Sequence, residues 1–147
     1  MKKRTKASVA RQKPAVAQQA APAPASAPAP SPDFARAVAL HQQGKLAEAE
    51  ALYRAVLTAT PKNVDALHLL GVLKAQTKQS AEAVELIDRA IQLAPNNPAF
   101  YSNRGNALKE LKRFDEALAS FDKAVALDPQ FAEGWSNRGN VLRELDL

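Results

Sequence analysis

The sequence repeats itself at an interval of 34 residues, and this interval constrains the fold more than any other feature. Pro61, Pro95 and Pro129 are separated by it. An alanine and a glycine position share the same interval: Ala49, Ala83 and Ala117, and Gly71, Gly105 and Gly139. Between successive prolines lie two segments whose apolar residues have helical spacing. A period of this length predicts stacked helical hairpins that bury their apolar faces against one another.

The repeated unit resembles the tetratricopeptide repeat, whose signature is W-x2-L-G-x2-Y, followed by A-x3-F and then a proline. Trp135, Gly139 and Leu142 match the spacing of the first half, and Ala117 and Phe121 match the second half. The resemblance covers roughly residues 31–147. It implies an all-α fold in which helix-turn-helix hairpins form a right-handed superhelical stack.

We expect three repeats and the first helix of a fourth, at residues 31–63, 64–97, 98–131 and 132–147. Ser31 and Pro32 favour a helix start, because serine caps helices and proline suits the first helical position. Gly44 is predicted to end this first helix. Three later residues are predicted helix caps: Asn63, Ser80 and Asn97. The small residues at the 34-residue interval are predicted to lie where the two helices of a hairpin cross.

The C-terminal end of the sequence stops early in the repeat. Trp135 and Leu142 have the spacing of core residues, as do Tyr53 and Phe121. The second helix that would cover Trp135 and Leu142 is expected to begin near residue 148. We therefore expect either that the sequence is a fragment of a longer repeat protein or that self-association covers this end.

Residues 1–30 differ in composition from the rest. They contain six cations, so the remainder has 14 basic (20 − 6) and 15 acidic residues, and the formal charge of +5 comes from this segment. Alternating proline and alanine favour extended backbone. We interpret residues 1–30 as a disordered tail, basic and then Ala/Pro-rich. Electrostatic contact of this tail with nucleic acid or an anionic membrane is a weaker hypothesis, because no aromatic residues separate the charges.

Several functional classes are disfavoured by composition. The absence of cysteine excludes disulfides and thiolate metal sites, and no apolar run approaches the length of a membrane span. The basic start lacks a following apolar segment, so a cytoplasmic location is expected. His41 and His68 are the only histidines and have no third ligand at useful spacing, so neither a metal nor a cofactor is predicted. No catalytic motif is present, and the chain is not expected to be an enzyme.

Stacked hairpins place the first helix of every repeat on one side, which is predicted to form a concave groove. The residues that we place on this side come from all four first helices: Phe34, Val38, His41, His68, Leu69, Val72, Asn103, Asn106, Lys109, Asn137, Asn140 and Arg143. Asparagine is a mediocre helix former, so helix propensity does not explain its recurrence. An asparagine amide both donates and accepts, and so can pair with the backbone of an extended peptide. Hydrogen bonding between repeats is the alternative role.

The repeats are also similar to those of O-linked N-acetylglucosamine transferases. That similarity implies peptide contacts by Asn103 and Asn137, which are 34 residues apart. Two functions follow: a scaffold that binds a peptide or protein segment in its groove, or the substrate-recognition part of a longer glycosyltransferase. Arg104 and Arg138 replace the usual leucine. Their stems are expected to cover apolar surface while their guanidinium groups reach solvent or a nearby carboxylate. Alternatively, they bind a carboxylate of a partner.

Overall fold

The computed structural model describes residues 30–146, so the predicted tail, except for its last residue, lies outside the described residues. This part of the chain contains seven α-helices and no strand. In chain order they are α1 (Pro32–Gln42), α2 (Leu46–Ala59), α3 (Val64–Gln76), α4 (Ser80–Leu93), α5 (Pro98–Glu110), α6 (Phe114–Leu127) and α7 (Ala132–Glu144).

The helices pair into hairpins that stack in sequence order. Helices α1 and α2, α3 and α4, and α5 and α6 pack against each other, and each second helix also contacts the next first helix. The first helices contact one another as well, α1 with α3, α3 with α5 and α5 with α7. We call the side formed by α1, α3, α5 and α7 the inner groove. The all-α stack of hairpins that the sequence predicts is confirmed.

Side-chain caps begin the first helices of the first three hairpins. Ser31 Oγ accepts from the Phe34 amide at 3.1 Å, and Asn63 Oδ1 accepts from the Ala66 amide at 3.0 Å. Asn97 caps α5 in the same way. These predicted caps are confirmed, because each side chain satisfies an amide that has no partner within the helix.

The predicted cap at Ser80 is wrong. Ser80 is the first residue of α4, and the capping position is Gln79, whose side chain makes no capping hydrogen bond. Helices α2 and α6 also begin without a side-chain cap. The backbone instead closes the turn before them: the Gln79 amide donates to the Lys74 carbonyl at 2.8 Å, and the Arg113 amide donates to the Leu108 carbonyl at 2.9 Å. Such a turn ends one helix and directs the chain into the next.

The same turns hold a residue in the left-handed region. Gly44, Lys78 and Lys112 have φ values of 76°, 63° and 59°. The first of them confirms that Gly44 ends α1, since glycine adopts this conformation without steric cost. The two lysines occupy the equivalent position in the next two hairpins and leave their side chains at the surface.

The helices of a hairpin approach closely at glycine, as the sequence predicts. A Cβ atom at Gly71 would lie 2.6 Å from Ile87 Cγ1, and one at Gly105 would lie 2.7 Å from the Phe121 ring. Ala83 and Ala117 are fully buried in the same interfaces. Because a larger side chain would separate the axes and lose the contacts around it, the repeated small residues set the spacing of the hairpins.

The predicted core position of Trp135 is corrected by the structure. Its side chain is 48% exposed, and a Cβ atom at Gly139 would meet nothing within 4 Å. No helix of the described residues packs on this side of α7, which explains the exposure. None of the helices in residues 30–146 is long and apolar enough to span a bilayer.

Candidate functional site

The inner groove changes in chemistry along the stack. Val38 on α1 and Val72 on α3 are half-buried, and Asn106 and Asn140 occupy the same repeat position on α5 and α7. The groove therefore has an apolar half, formed by the first two repeats, and an amide-lined half, formed by α5 and α7.

Two open depressions lie in this groove. The first has a volume of about 300 Å³ and lies between α3 and α5. Its lining includes Val72, Asn103, Asn106 and Lys109. The second has a volume of about 500 Å³ and lies between α5 and α7, with Lys109, Asn140 and Arg143 in its lining. Sequence analysis selected nine groove residues on α3, α5 and α7. Six of these nine line one depression or the other.

The two depressions share six equivalent positions at the 34-residue interval. Those in the first are Ala75, Gln76, Lys78, Asn106, Lys109 and Glu110, and those in the second are Lys109, Glu110, Lys112, Asn140, Arg143 and Glu144. Each pair of equivalents differs by 34 in residue number. The remaining lining residues, Val72, Ile87 and Asn103 in the first and Phe114 in the second, have no equivalent in the other depression. Because the depressions share Lys109 and Glu110, they adjoin each other along the groove.

The charges of the second depression are incompletely neutralised within the chain. Lys78 Nζ lies 3.5 Å from Glu110 Oε2, so this carboxylate is directed toward the first depression. Arg143 donates to the neutral amide oxygen of Asn140. Among residues 30–146, Lys109, Lys112 and Arg143 make no ion pair with a carboxylate. Three cations here face two glutamates, which gives this half of the groove a basic character.

One predicted groove residue is tied to the preceding repeat. The Asn103 amide nitrogen lies 2.7 Å from His68 Nε2, and the His68 ring stacks on Phe100 with centroids 4.4 Å apart. Burial lowers the pKa of His68 to about 4, so the ring is neutral at pH 7 and its Nε2 accepts from the Asn103 amide. The sequence left two roles open for the asparagines, peptide contact and hydrogen bonding between repeats. The amide nitrogen of Asn103 has the second role.

The other histidine joins the first two repeats. His41 Nε2 lies 2.8 Å from Gln76 Oε1, and its Nδ1 lies 3.1 Å from the Tyr53 hydroxyl. Since the glutamine oxygen can only accept, Nε2 donates to it, and in the neutral tautomer with this proton the Tyr53 hydroxyl donates to Nδ1. Burial raises the pKa of Tyr53 and keeps its hydroxyl protonated. Each buried histidine thus links consecutive first helices through a polar side chain.

Not every predicted residue reaches the groove surface. His68 and Leu69 are only 2% and 6% exposed, and His41 is buried as well. All three side chains therefore lie beneath the groove surface, where His68 contacts Asn103 and Phe100 of α5 and His41 contacts Gln76 of α3. Asn137 is half-buried and lines neither depression. The residues that remain candidates for direct contact are Val72, Asn103, Asn106, Lys109, Asn140 and Arg143.

The two arginines that depart from the repeat signature are paired inside the chain. Arg104 Nε lies 2.5 Å from Asp88 Oδ1, and its Nη1 donates to Ser120 Oγ at 2.8 Å. Arg138 pairs with Asp122 at the equivalent place one repeat later. These pairs join α4 to α5 and α6 to α7. Both arginines therefore have a carboxylate partner within the chain, which is one of the predicted alternatives.

Sequence reasoning missed two charged residues of the depressions. Lys78 and Lys112 extend from the hairpin turns. The lysines are 34 residues apart, so a search for residues that recur at the repeat interval could have identified them in the sequence. In the described residues, no group of three or more acidic or histidine side chains is arranged to hold a metal ion.

A stack of helical hairpins with an open inner groove defines the class of helical repeat proteins. Family models described as "Tetratricopeptide repeat" match residues 6–64, 40–102 and 98–131. The chain belongs to the tetratricopeptide repeat family. The first of these matches starts within the predicted tail, in a part of the chain outside the described residues.

Solved structures with the same fold come from several proteins. The first tetratricopeptide domain of Spaghetti (RPAP3) bound to an HSP90 peptide has a TM-score of 0.76 and 23% identity, with 78% of this chain and 91% of that chain covered. MamA from Desulfovibrio magneticus RS-1 gives 0.76 and 23%, with 78% and 65% covered. A mutant O-GlcNAc transferase from Thermobaculum terrenum gives 0.71 and 26%, with 78% of this chain but 23% of that chain covered. A comparison with curated proteins gives no match.

Proposed function

We propose that this chain is a non-enzymatic interaction module that binds an extended peptide or protein segment in its inner groove. The observation that carries this proposal is the pair of equivalent depressions between consecutive first helices. A groove that repeats the same polar groups at a constant interval suits a ligand that also repeats, and a polypeptide backbone is such a ligand.

The amides of the groove support a peptide ligand. Asn106 and Asn140 are half-buried, line one depression each, and lie at equivalent repeat positions. Each amide can donate to a peptide carbonyl and accept from a peptide N–H. Asn103 keeps its Oδ1 for such a contact, because His68 receives only its nitrogen. Val72 adds an apolar contact next to them. The likeness to a tetratricopeptide domain that is bound to a peptide also supports this proposal.

A peptide-display selection tests the proposal. Random peptides displayed on phage are selected on the purified chain, and the affinities of enriched peptides are measured by fluorescence anisotropy. Replacing Asn106 and Asn140 together with alanine should weaken binding about tenfold or more, because two peptide hydrogen bonds are lost. The matched control replaces Asn96, which is exposed in the turn before α5, with alanine and should leave affinity unchanged.

The experiment can also refute the proposal. If no peptide is enriched, or if the Asn106→Ala, Asn140→Ala variant keeps its circular dichroism spectrum and its affinity, the groove is not the binding site. Replacing Asn103 and Asn137 by alanine tests the ladder predicted from the sequence. A loss of affinity there must be corrected for the stability that the Asn103 bond to His68 contributes.

A second candidate is the substrate-recognition part of a longer glycosyltransferase. It is favoured by the 26% identity to the O-GlcNAc transferase, of which this chain covers 23%. On this proposal the groove would hold the acceptor peptide, and a catalytic domain would lie elsewhere in the parent protein. Sequencing the gene beyond the codon for residue 147 separates the candidates. A downstream nucleotide-sugar-binding domain supports the enzyme, and a stop codon at that point removes it.

A further inference from the structure

We propose that residues 21–29 of the tail dock on one edge of the same chain's helix stack, where they cover Leu93, Tyr101 and Trp135. These three side chains lie near the ends of α4, α5 and α7 and line neither depression of the inner groove. We call this surface the loop edge; it also contains the connections between hairpins, at residues 60–63, 94–97 and 128–131. The site is separate from the groove, so it does not depend on the proposed function.

The tail joins the stack at the loop edge. Each connection between consecutive helices is only three or four residues long, and such short connections make neighbouring helices antiparallel. The first residues of α1, α3, α5 and α7 therefore lie at the same edge as the last residues of α2, α4 and α6. Because residue 30 directly precedes the cap of α1, the tail leaves the stack at this edge and does not have to cross a helix to reach it.

Exposed apolar surface is concentrated at the loop edge. Two large apolar side chains are exposed among the described residues, Leu93 and Trp135. Leu93 is the last residue of α4, and Trp135 lies in the first turn of α7, so both are at this edge. Tyr101, which is equivalent to Trp135 one repeat earlier, is half-buried between them in the order of the helices. Apolar side chains that are exposed at one place mark an interaction surface.

The two aromatic rings are held in place by equivalent hydrogen bonds. The Tyr101 hydroxyl donates to the Pro95 carbonyl at 2.8 Å, and Trp135 Nε1 donates to the Pro129 carbonyl at 2.8 Å. The Arg138 guanidinium lies over one side of the indole, 5.9 Å from the ring centre. Since both polar atoms have partners within the chain, the rings offer apolar surface to a ligand, and their orientation is fixed before it binds.

Aromatic rings at the repeat interval suit a polyproline-type segment. Such a segment docks on aromatic-lined surfaces, because its backbone is already extended and loses little entropy on binding. Residues 21–29 have the sequence APAPASAPA, which favours this conformation. Polyproline residues three apart lie on one face about 9 Å apart. The axes of helices in contact, such as α5 and α7, are about 8–10 Å apart, so one face of the segment can contact both rings.

The length of the tail allows this contact within one chain. The first helices contact one another in order, so α5 and α7 lie two and three steps from α1, about 16–30 Å away at about 8–10 Å per step. Residues 22–25 precede residue 30 by five to eight positions, which corresponds to about 16–25 Å of polyproline backbone. The proline-rich part of the tail thus has the reach that the two rings require.

Charge favours the same direction of the tail. Its six cations lie within residues 2–13, beyond the proline-rich part as the chain is followed back from α1. At the α7 end of the loop edge are Asp128 and Glu133. Neither of these carboxylates forms an ion pair with another of residues 30–146. Opposite charges therefore attract the start of the tail toward α7, most strongly at low salt.

A spin label in the tail tests the proposal on the full chain. The sequence has no cysteine and one tryptophan, so Ala23→Cys gives a single attachment site for a nitroxide, and Trp135 gives a single indole N–H resonance. Residue 23 projects away from the face formed by residues 22 and 25, so the label does not occupy the contact. We expect the nitroxide to remove most of the intensity of the indole resonance, because docking holds it close to the ring.

Variants of the tail and of the edge separate docking from chance encounters of a tethered segment. In the labelled chain, Pro22→Gly with Pro28→Gly removes the polyproline preference and should restore the resonance. Pro14→Gly makes the same change outside the docked segment and should leave the resonance weak. On the edge, Leu93→Gln should restore part of the intensity. Its control is Ala119→Gln, at an exposed position in the middle of α6, which should restore none.

A mixture of two samples distinguishes this chain from a second copy. Spin-labelled chain without isotope is mixed with isotope-labelled chain that has no cysteine. Docking within one chain predicts full intensity of the indole resonance in the mixture, whereas a loss there shows that the tail binds a second copy and overturns the proposal. The proposal is also overturned if the labelled chain keeps the resonance, or if the variant with glycine at residues 22 and 28 loses as much intensity as the unmodified tail.

Discussion

Two glycines at the same repeat position have opposite surroundings. Gly105 faces the Phe121 ring, whereas Gly139 faces open space on α7. The sequence signature is the same at both positions, so only the neighbouring helix distinguishes them. Glycine within a helix lowers stability by roughly 1 kcal/mol relative to alanine. Glycine is therefore the more stabilising of the two residues only where close packing against a neighbouring helix offsets that cost.

We predict that Gly105→Ala destabilises the domain and that Gly139→Ala stabilises it. The new Cβ at residue 105 would lie 2.7 Å from Phe121, and overpacking of this kind costs about 1–3 kcal/mol. At residue 139 the change should add about 0.5–1 kcal/mol of stability through helix propensity. Urea denaturation measures both, and Gly105→Leu should be worse than Gly105→Ala. Equal effects at the two positions would contradict the packing argument.

The buried His68 makes stability depend on pH. Its pKa is lowered from 6.5 to about 4 by burial, so the unfolded chain takes up a proton in this range before the folded chain does. Stability is therefore complete above pH 6.5 and is lost as the pH falls toward 4. At about 1.4 kcal/mol per pH unit, the loss approaches about 3 kcal/mol.

A comparison with His68→Gln isolates this effect from the carboxylates that titrate in the same range. Between pH 7 and pH 4 the free energy of unfolding should fall by about 3 kcal/mol more in the unmodified chain than in the variant. The measurement is urea denaturation at fixed ionic strength. If both proteins lose the same amount, His68 does not contribute to the pH dependence.

At the scale of the elements, a buried lysine connects three helices. Lys74 on α3 is 4% exposed, and its Nζ lies 2.6 Å from Glu50 Oε1 on α2 and 3.4 Å from Glu82 Oε2 on α4. Arg54 closes the cluster by pairing with both glutamates. The hydrogen bond from Lys74 is the main cause that lowers the pKa of Glu50, and the one from Arg54 is the main cause for Glu82. The equivalent position is Leu108 in the next repeat, so the signature gave no indication of this ion-pair cluster.

We predict that Lys74→Met lowers the free energy of unfolding by about 1–2 kcal/mol. The substitution keeps much of the side-chain volume but leaves two partly exposed carboxylates with Arg54 alone, so the cost stays below that of a fully buried pair. Lys78→Met is the control, because Lys78 is 78% exposed and its partner Glu110 is 3.5 Å away. It should cost less than about 0.5 kcal/mol. Thermal or urea denaturation measures the loss of stability in both variants. Equal losses would show that burial of Lys74 in the ion-pair cluster does not stabilise the fold.

At the scale of the whole molecule, the repeat pattern is least complete at α7, because no helix of the described residues packs against one of its sides. Trp135 is 48% exposed there, next to the open space at Gly139. In a stack of repeats each unit is stabilised mainly by its nearest neighbours, so this end should be the least stable part of the described chain. The self-association expected from the sequence would also cover this side, and it stays a prediction.

We predict that an added helix stabilises the domain. A copy of residues 114–129 is joined after Leu147, so that it begins at the position equivalent to Phe114. The copied Phe121 would then pack against Gly139, as Phe121 packs against Gly105. The melting temperature should rise by several degrees, and the fluorescence of Trp135 should shift to shorter wavelength as the indole loses water. A second copy with aspartate in place of that phenylalanine serves as the control. An equal effect of both copies would contradict packing in the register of the repeats.

The sequence by itself determined the hairpins, their order and their close contacts at Gly71 and Gly105, because these depend on local spacing that is written at a constant interval. It also placed Asn106, Lys109, Asn140 and Arg143 on one side of the stack. Tertiary structure alone decided that His68 and Leu69 lie beneath the groove surface, that Asn103 bonds to His68, and that Lys74 joins two glutamates. The reason is physical: periodicity fixes the face on which a side chain lies, whereas burial and pairing depend on the particular residue that the neighbouring helix presents to it.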